Sequence, residues 1–249
     1  MFNPRAHFGE SLFTSMVSNS RGRVLGFDQH INRLVIGLNT YYLEKSITID
    51  EFKSFYNLNN EWPSNKYIRI SLFQKERTEL ISSKLRLSDI EIEILFTDQK
   101  TKARSLSLLT LESPFSEFYR PVKSGSYFEN FRLKKTAQAQ GFDDGLLIHM
   151  GQILEASTSN IFFIDKNENL ITPSNDNILK GITRKILLEK FDGQERVIEI
   201  QELSRFQGAF LTNAVHDIMP INKINQQSFE ETLSLKYKKI YNQLKEDNE

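Results

Sequence analysis

The residues of this chain that could do chemistry together are a lysine at 123, an acid at 155 and a Gly-Ile-Thr step at 181–183. Glu155 follows the β-like run Gln-Ile-Leu and precedes Ala156, Ser157 and Thr158, so it sits on a turn of small, hydroxyl-rich residues. A carboxylate there can pair with a ring nitrogen, or it can simply cap the turn. Gly181, Ile182 and Thr183 open a helix, and a helix start offers N–H groups, partial positive charge and here a hydroxyl to a phosphate. Acid, apolar strand and helix start in that order suit a phosphorylated aromatic cofactor. Lys123, in VKSGSYFENF, is by itself one lysine among many, and a lone lysine is more often a surface charge than a nucleophile. Arg69, in KYIRISLF, lies on an alternating strand. Its guanidinium fork suits a substrate carboxylate, and the plainer reading is a solvated arginine on a half-exposed face.

Composition removes several rivals. Lys plus Arg equals Asp plus Glu, 32 against 32, so no global field favours nucleic acid or an anionic membrane, and any anion site is local. The absence of Cys excludes disulfides, thiolate catalysis and Cys-based zinc sites. His7, His30, His149 and His216 share no ligand-like spacing, so no metal is expected and the histidines read as solvated or hydrogen-bonded. No Gly-x-Ser-x-Gly elbow, Walker-type loop or dinucleotide fingerprint occurs. The N-terminus lacks the basic and apolar blocks of a signal peptide, and no apolar run approaches the roughly 18 residues of a membrane span. A soluble, cytoplasmic protein is expected.

The elements that must position these residues divide a chain of 249 residues into two modest cores. Asp28 precedes Ile31, Leu34, Val35, Leu38 and Tyr41, which is helical spacing with a cap at its start. A weaker helix is expected over 49–59, and strands over 67–73 and 90–96. The polar stretch TDQKTKA at 97–103 separates β-like segments, giving an N-terminal α+β lobe at 1–97, a linker at 98–103 and a larger C-terminal mixed α/β lobe at 104–249. In the second lobe the pattern predicts a strand at 105–111, a loop through Lys123 and a helix over 127–140 stopped by Gly141. Strands at 145–149 and 160–164, a helix from Gly181, and strands at 196–200 and 209–212 follow. Phe229, Leu233, Tyr237, Ile240 and Leu244 then form a helical docking face.

The run 155–184 reads Glu-x-Ser-x-x-Asn-Ile-Phe, then Leu-x-Thr, then Leu-x-Gly-Ile-x-Arg. It resembles the signature of the class IV (fold type IV) pyridoxal-phosphate enzymes: branched-chain and D-amino acid aminotransferases and 4-amino-4-deoxychorismate lyases. The likeness spans nearly the whole chain. RAHFGESLFTSMV is similar to the family's opening Arg-Ala-x-x-Phe-Gly-Asp-Gly-x-Phe-Glu-Thr, with Glu10 and Ser11 for the usual acid and glycine, and DQHINRL resembles its His-x-x-Arg-Leu. The resemblance implies a two-lobed, D-amino acid aminotransferase-like fold of mixed α/β and α+β class, with pyridoxal 5'-phosphate as cofactor. It also implies a homodimer and a small amino substrate bearing a carboxylate. By the same resemblance, Lys123 carries the cofactor and becomes the general base once substrate displaces it, and Glu155 faces the pyridine nitrogen. Gly181, Ile182 and Thr183, with Arg33 and the turn at Asn213 and Ala214, form the phosphate cup. Tyr127 is directed at the ring oxygen, and Arg69 lines the substrate pocket.

Within the family, Asn213-Ala214 followed by Met219-Pro220 is more similar to the lyases than to the Gly-Thr of branched-chain aminotransferases. The expected activity is therefore that of 4-amino-4-deoxychorismate lyase, releasing pyruvate and leaving 4-aminobenzoate for folate synthesis. The alternative is a branched-chain or D-amino acid aminotransferase, favoured by Tyr127 and the Tyr-Ile-Arg strand, and a third reading is a cofactor-binding protein without activity. Two departures bear on the substrate. The chain begins almost at the opening motif, so the β-hairpin that precedes it in the family is expected to be missing or trimmed. Gln74-Lys75 stands where the family has an Arg-Gly turn, so an altered substrate-side loop is expected.

Overall fold

The computed structural model describes residues 10–75, 84–99, 105–113 and 122–247. They fall into two units, the first within Met1–Gln99, Val122–Tyr127 and Lys245–Glu249, the second within Lys100–Pro121 and Phe128–Leu244. Residues 100–103 of the expected linker lie outside the described residues, as does the segment 76–83 that follows Gln74-Lys75. Lys123 and Tyr127, expected in the second lobe, group with the first unit.

In the first unit β1 (Leu12–Val17), β2 (Lys66–Gln74) and β3 (Ile90–Asp98) form an antiparallel sheet in that order. Helix α1 (Phe27–Tyr41) buries Ile31, Leu34, Val35 and Leu38, which join Met16, Ile68, Ile70 and Leu72 in one core. Each such side chain contributes about 1.5–3 kcal/mol on burial. Asp28 is not the cap of α1. The helix starts one residue earlier, after Gly26 at φ 73°, a left-handed conformation that suits glycine, and Asp28 pairs instead with Lys53 Nζ at 2.9 Å. Helix α2 (Ile49–Tyr56) begins with a Thr48–Glu51 capping box and stops at Asn57 in the left-handed region, short of 59.

The second unit is built on a mixed sheet of β4 (Leu106–Glu112), β5 (Asp144–His149), β6 (Gln152–Ala156), β7 (Asn160–Ile164), β8 (Leu170–Pro173), β9 (Gln194–Arg196), β10 (Gly208–Asn213), β11 (Asp217–Ile224) and β12 (Gln227–Ser228). The strand order is β6-β5-β4-β11-β10-β7-β8-β9, with β12 on β11. Leu106, Leu108, Ile161, Phe163, Leu211 and Ile221 lie in its main core. Helices α3 (Phe128–Ala139), α4 (Ile182–Phe191) and α5 (Glu231–Glu246) complete it, and α5 buries Ser234, Tyr237 and Tyr241 along one face. The strand expected at 196–200 is corrected. β9 pairs only with Ile171–Pro173 of the short strand β8 and ends with it at Arg196. Ile198 O then accepts Ile153 N at 2.8 Å and the chain turns into a 3-10 helix at Ile200. No helix among the described residues is long and apolar enough to cross a membrane.

Candidate active site

In the first unit the backbone runs Lys123 alongside β1. Phe13 N donates to Lys123 O at 3.0 Å, Gly125 N donates to Ser11 O at 2.8 Å, and Leu12 bridges Ser124. Successive strand residues face opposite sides of a sheet, and the register sets Phe13 opposite Ser71 and Ser15 opposite Arg69. One face therefore carries Phe13, Ser15, Arg69 and Ser71. Arg69 lies over the Phe13 ring with its guanidinium carbon 3.7 Å from the centroid, and its Nε donates to Ser71 Oγ at 3.2 Å. Lys123 Nζ stands 4.7 Å from the same centroid and donates to Tyr127 Oη at 2.9 Å. Tyr127 meets Phe13 edge-on at 5.4 Å. Two cations thus share one aromatic ring, each contact stabilising by about 0.5–2 kcal/mol according to desolvation. Among the described residues Arg69 has no carboxylate partner.

The other face of β1 carries Thr14, whose Oγ1 accepts from Arg33 Nη2 at 2.5 Å and lies 2.6 Å from His30 Nδ1. Burial holds the His30 imidazole well below its ordinary pKa, and the charges of Arg33 and Lys123 push the same way, so His30 is neutral. Burial also brings the Arg33 guanidinium down to about 10, opposed by Tyr127. Its Nε is buried without a hydrogen-bond partner among the described residues. A buried guanidinium with an unspent donor and no carboxylate partner among the described residues is suited to an anion from outside the chain.

In the second unit Glu155 ends β6 with 4% of its surface exposed. Its Oε2 accepts from Leu179 N and from Asn160 Nδ2, both at 3.1 Å, which fixes the carboxylate plane. Gly181 is the N-cap of α4 and offers no side-chain cap, and the first turn carries no acid. The first bond closing the helix is Lys185 N to Gly181 O at 2.9 Å, so the N–H groups of Ile182, Thr183 and Arg184 lie outside the helix's own bonding. Thr183 is buried, with Oγ1 3.5 Å from Tyr241 Oη, whose pKa burial pushes up. Ser157, two residues after Glu155, has a buried Oγ without a hydrogen-bond partner among the described residues. Asn213 is used up in holding its own turn. Its Oδ1 accepts Val215 N at 2.9 Å and His216 N at 2.8 Å, and its Nδ2 donates to Ser159 Oγ at 2.9 Å. The side chain therefore shapes the loop at half-buried Ala214.

The structure thus groups Lys123, Tyr127, Arg33 and Arg69 in the first unit, and Glu155, Gly181, Ile182, Thr183, Asn213 and Ala214 in the second. Sequence reasoning placed none of Phe13, Thr14, His30 and Asn160 at the site. Phe13 could have been found from the two-residue spacing it shares with Ser15, whereas the Thr14–His30 contact has no local signal.

The family model described as Amino-transferase class IV matches residues 11–224. The chain belongs to the class IV aminotransferases. Members use pyridoxal phosphate, and this chain is a pyridoxal-phosphate-dependent enzyme of that family with a type IV fold. Among its relatives is a protein of Rickettsia felis named as a branched-chain-amino-acid aminotransferase, 26% identical over 88% of this chain and 79% of the relative. A solved structure from Legionella pneumophila, named as a 4-amino-4-deoxychorismate lyase, superposes with a TM-score of 0.76 at 21% identity, covering 98% of this chain and 93% of the other. A branched-chain amino acid aminotransferase from Escherichia coli superposes with a TM-score of 0.77 at 18% identity, covering 98% of this chain and 88% of the other. The class IV cofactor fits what the chain presents. The partnerless Arg33 Nε and Ser157 Oγ are buried donors of the kind a phosphate or ring substituent satisfies, and a Cβ at Gly181 would overlap Asn160 Oδ1, so the start of α4 is kept bare.

Proposed function

We propose that the chain is an aminotransferase that moves the amino group of an apolar amino acid to a 2-oxo acid, with Lys123 as the residue that carries the cofactor. Arg69 is the observation that supports this most: a guanidinium laid on Phe13 beside Lys123, with Ser71 Oγ as its hydrogen-bond partner. On this reading Arg69 is the carboxylate-binding fork and Lys123 the reacting amine, the pair that an amino acid and its 2-oxo counterpart both require. The name of the Rickettsia felis relative points the same way. The second reading is 4-amino-4-deoxychorismate lyase, favoured by Asn213-Ala214. The other half of that likeness, Met219-Pro220, is buried in β11 opposite Leu211 and Phe210, where it serves strand packing.

When bound, pyridoxal phosphate supplies a carbonyl that exchanges amines and a ring that takes up an electron pair. In the proposed mechanism Lys123 Nζ, oriented by Tyr127 Oη and the Phe13 ring, would take the proton from the substrate α-carbon and deliver it to the carbon of the cofactor's carbonyl, so that a 2-oxo acid leaves and the amino group stays behind. Glu155, held by Leu179 N and Asn160, would keep a proton on the ring nitrogen by its negative charge. Gly181, Ile182 and Thr183 at the start of α4 and the loop of Asn213 and Ala214 would hold the phosphate, and Arg33 would be a further donor to it. Tyr127 would meet the ring oxygen. Arg69 holds the substrate carboxylate with both arms of its fork.

The test is a product assay. Cofactor-loaded protein is given leucine, isoleucine, valine or D-alanine with 2-oxoglutarate, or aminodeoxychorismate alone. Glutamate without pyruvate release supports the aminotransferase, and pyruvate with 4-aminobenzoate replaces it with the lyase. Neither product from protein that has bound cofactor sinks both. A homodimer belongs to the same proposal, and light scattering should read twice the chain mass of 29.0 kDa.

A further inference from the structure

We propose that Asn160 is a positioning residue that ties the ring-nitrogen end and the phosphate end of the cofactor site in the second unit into one rigid piece. This rests on the roles proposed above for Glu155 and the start of α4. Asn160 opens β7 and is 6% exposed. Its Nδ2 donates both to Glu155 Oε2 at 3.1 Å and to Leu179 O at 2.8 Å, while Leu179 N donates to the same Oε2 at 3.1 Å. One amide, one carboxylate oxygen and one residue's backbone close a ring of three hydrogen bonds. Leu179 is two residues before Gly181, so the ring fixes the acid and the approach to the helix in a single geometry.

The opposite side of the Asn160 amide makes the second link. A Cβ on Gly181 would overlap Asn160 Oδ1. Gly181 has φ −67° and ψ 144°, an extended conformation that any residue adopts, so glycine is required there by the neighbouring side chain and not by the backbone. Asn160 itself is seated by strand pairing, opposite Thr212 of β10. Its amide therefore cannot follow one end of the site without carrying the other, and disturbing either end should be felt at both.

The experiment measures dissociation constants of the folded, cofactor-free protein for three probes: pyridoxal, which lacks the phosphate, inorganic phosphate, and pyridoxal phosphate. In Asn160→Ala both pyridoxal and phosphate should weaken about tenfold, the scale of one lost hydrogen bond to a charged or oriented group. Glu155→Gln keeps an oxygen that can accept from Asn160 Nδ2 and Leu179 N and removes only the charge, so it should weaken pyridoxal while leaving phosphate within about twofold. Gly181→Ala should weaken pyridoxal about fivefold although the substitution lies at the phosphate end, because the new methyl displaces the amide that holds Glu155. This last variant keeps Asn160 and an allowed backbone, so it decides the matter if Asn160→Ala does not fold. A loss in Asn160→Ala confined to one small probe, unchanged constants with only a lower melting temperature, or an unchanged pyridoxal constant in Gly181→Ala overturns the inference and leaves the cofactor assignment standing. A wild-type protein that binds none of the three probes overturns both.

Discussion

Replacing Thr14 with valine should cost the first unit about 3 kcal/mol, because one hydroxyl serves two buried groups. Thr14 Oγ1 accepts from Arg33 Nη2 at 2.5 Å and lies 2.6 Å from His30 Nδ1. Valine keeps the branched shape that fits β1 and removes only the hydrogen-bonding atom. The guanidinium contact is charge-assisted, worth about 1.5–3 kcal/mol, and stranding a buried imidazole nitrogen costs about 1–3 kcal/mol. Partial reorientation of Arg33 and His30 brings the expected sum to the lower part of that range. The chain's single tryptophan provides the assay. Trp62 packs against Phe27 at 5.8 Å and Phe96 at 6.0 Å in the same unit, so its fluorescence reports urea unfolding from inside that unit. The Trp62-detected stability of Thr14→Val should fall by about 3 kcal/mol, and a loss below about 1 kcal/mol refutes the shared-hydroxyl account. A pH series checks the same cluster. Below its ordinary value near 6.5, the unfolded chain binds a proton at His30 that the folded chain does not. The stabilisation is full above that pH and is lost as pH falls toward the lowered folded pKa, by about 1.4 kcal/mol per pH unit. His30→Asn should flatten this slope, and a slope that survives the substitution contradicts the assignment.

Other consequences are as direct. Arg69→Lys removes the fork and should raise KM for the amino donor by about tenfold or more with a smaller change in kcat, since both substrate and transition state lose the carboxylate contact; an unchanged KM counts against a substrate role. Asn213→Ala removes the acceptor that Val215 N and His216 N share and the donor to Ser159 Oγ, so it should cost about 1–3 kcal/mol by calorimetry and weaken pyridoxal phosphate binding. An effect on binding without any loss of stability would point to a direct contact instead. Arg184 is buried and its Nη2 donates to Pro173 O at 3.0 Å and to Glu195. That contact holds the Glu195 carboxyl below its ordinary pKa, so its stabilisation is present above about 4.5 and is lost as pH falls toward the lowered folded value. Arg184→Met should remove that part of the acid-side loss, read from melting temperatures at a series of acidic pH values.

Much of this arrangement was legible in the sequence, for physical reasons that also explain the gaps. α1 announced itself because one face alone is buried and the apolar spacing follows it. β1 did not, since all six of its residues are buried and no polar alternation survives. β11 was hidden by Pro220, which reads as a strand breaker. The strand tolerates it because pairing with β4 begins only at Ile221, so the missing N–H costs no ladder bond on that side. At the candidate site, Lys123, Glu155 and the opening of α4 are the residues that the sequence nominates, from residue types in fixed order. Thr14, His30 and Asn160 could not be read in the same way. Their roles come from which side chains packing brings within 3 Å or so, and an isolated Thr or Asn carries no signal of that.

The central claim is that Lys123 carries the cofactor, and covalent trapping tests it most directly. Protein loaded with pyridoxal phosphate is reduced with borohydride, digested and mapped by mass spectrometry. The account predicts a phosphopyridoxyl group on the peptide containing Lys123, and no label in Lys123→Ala. Label on a different lysine, or none on wild-type protein that has bound the cofactor, would contradict it.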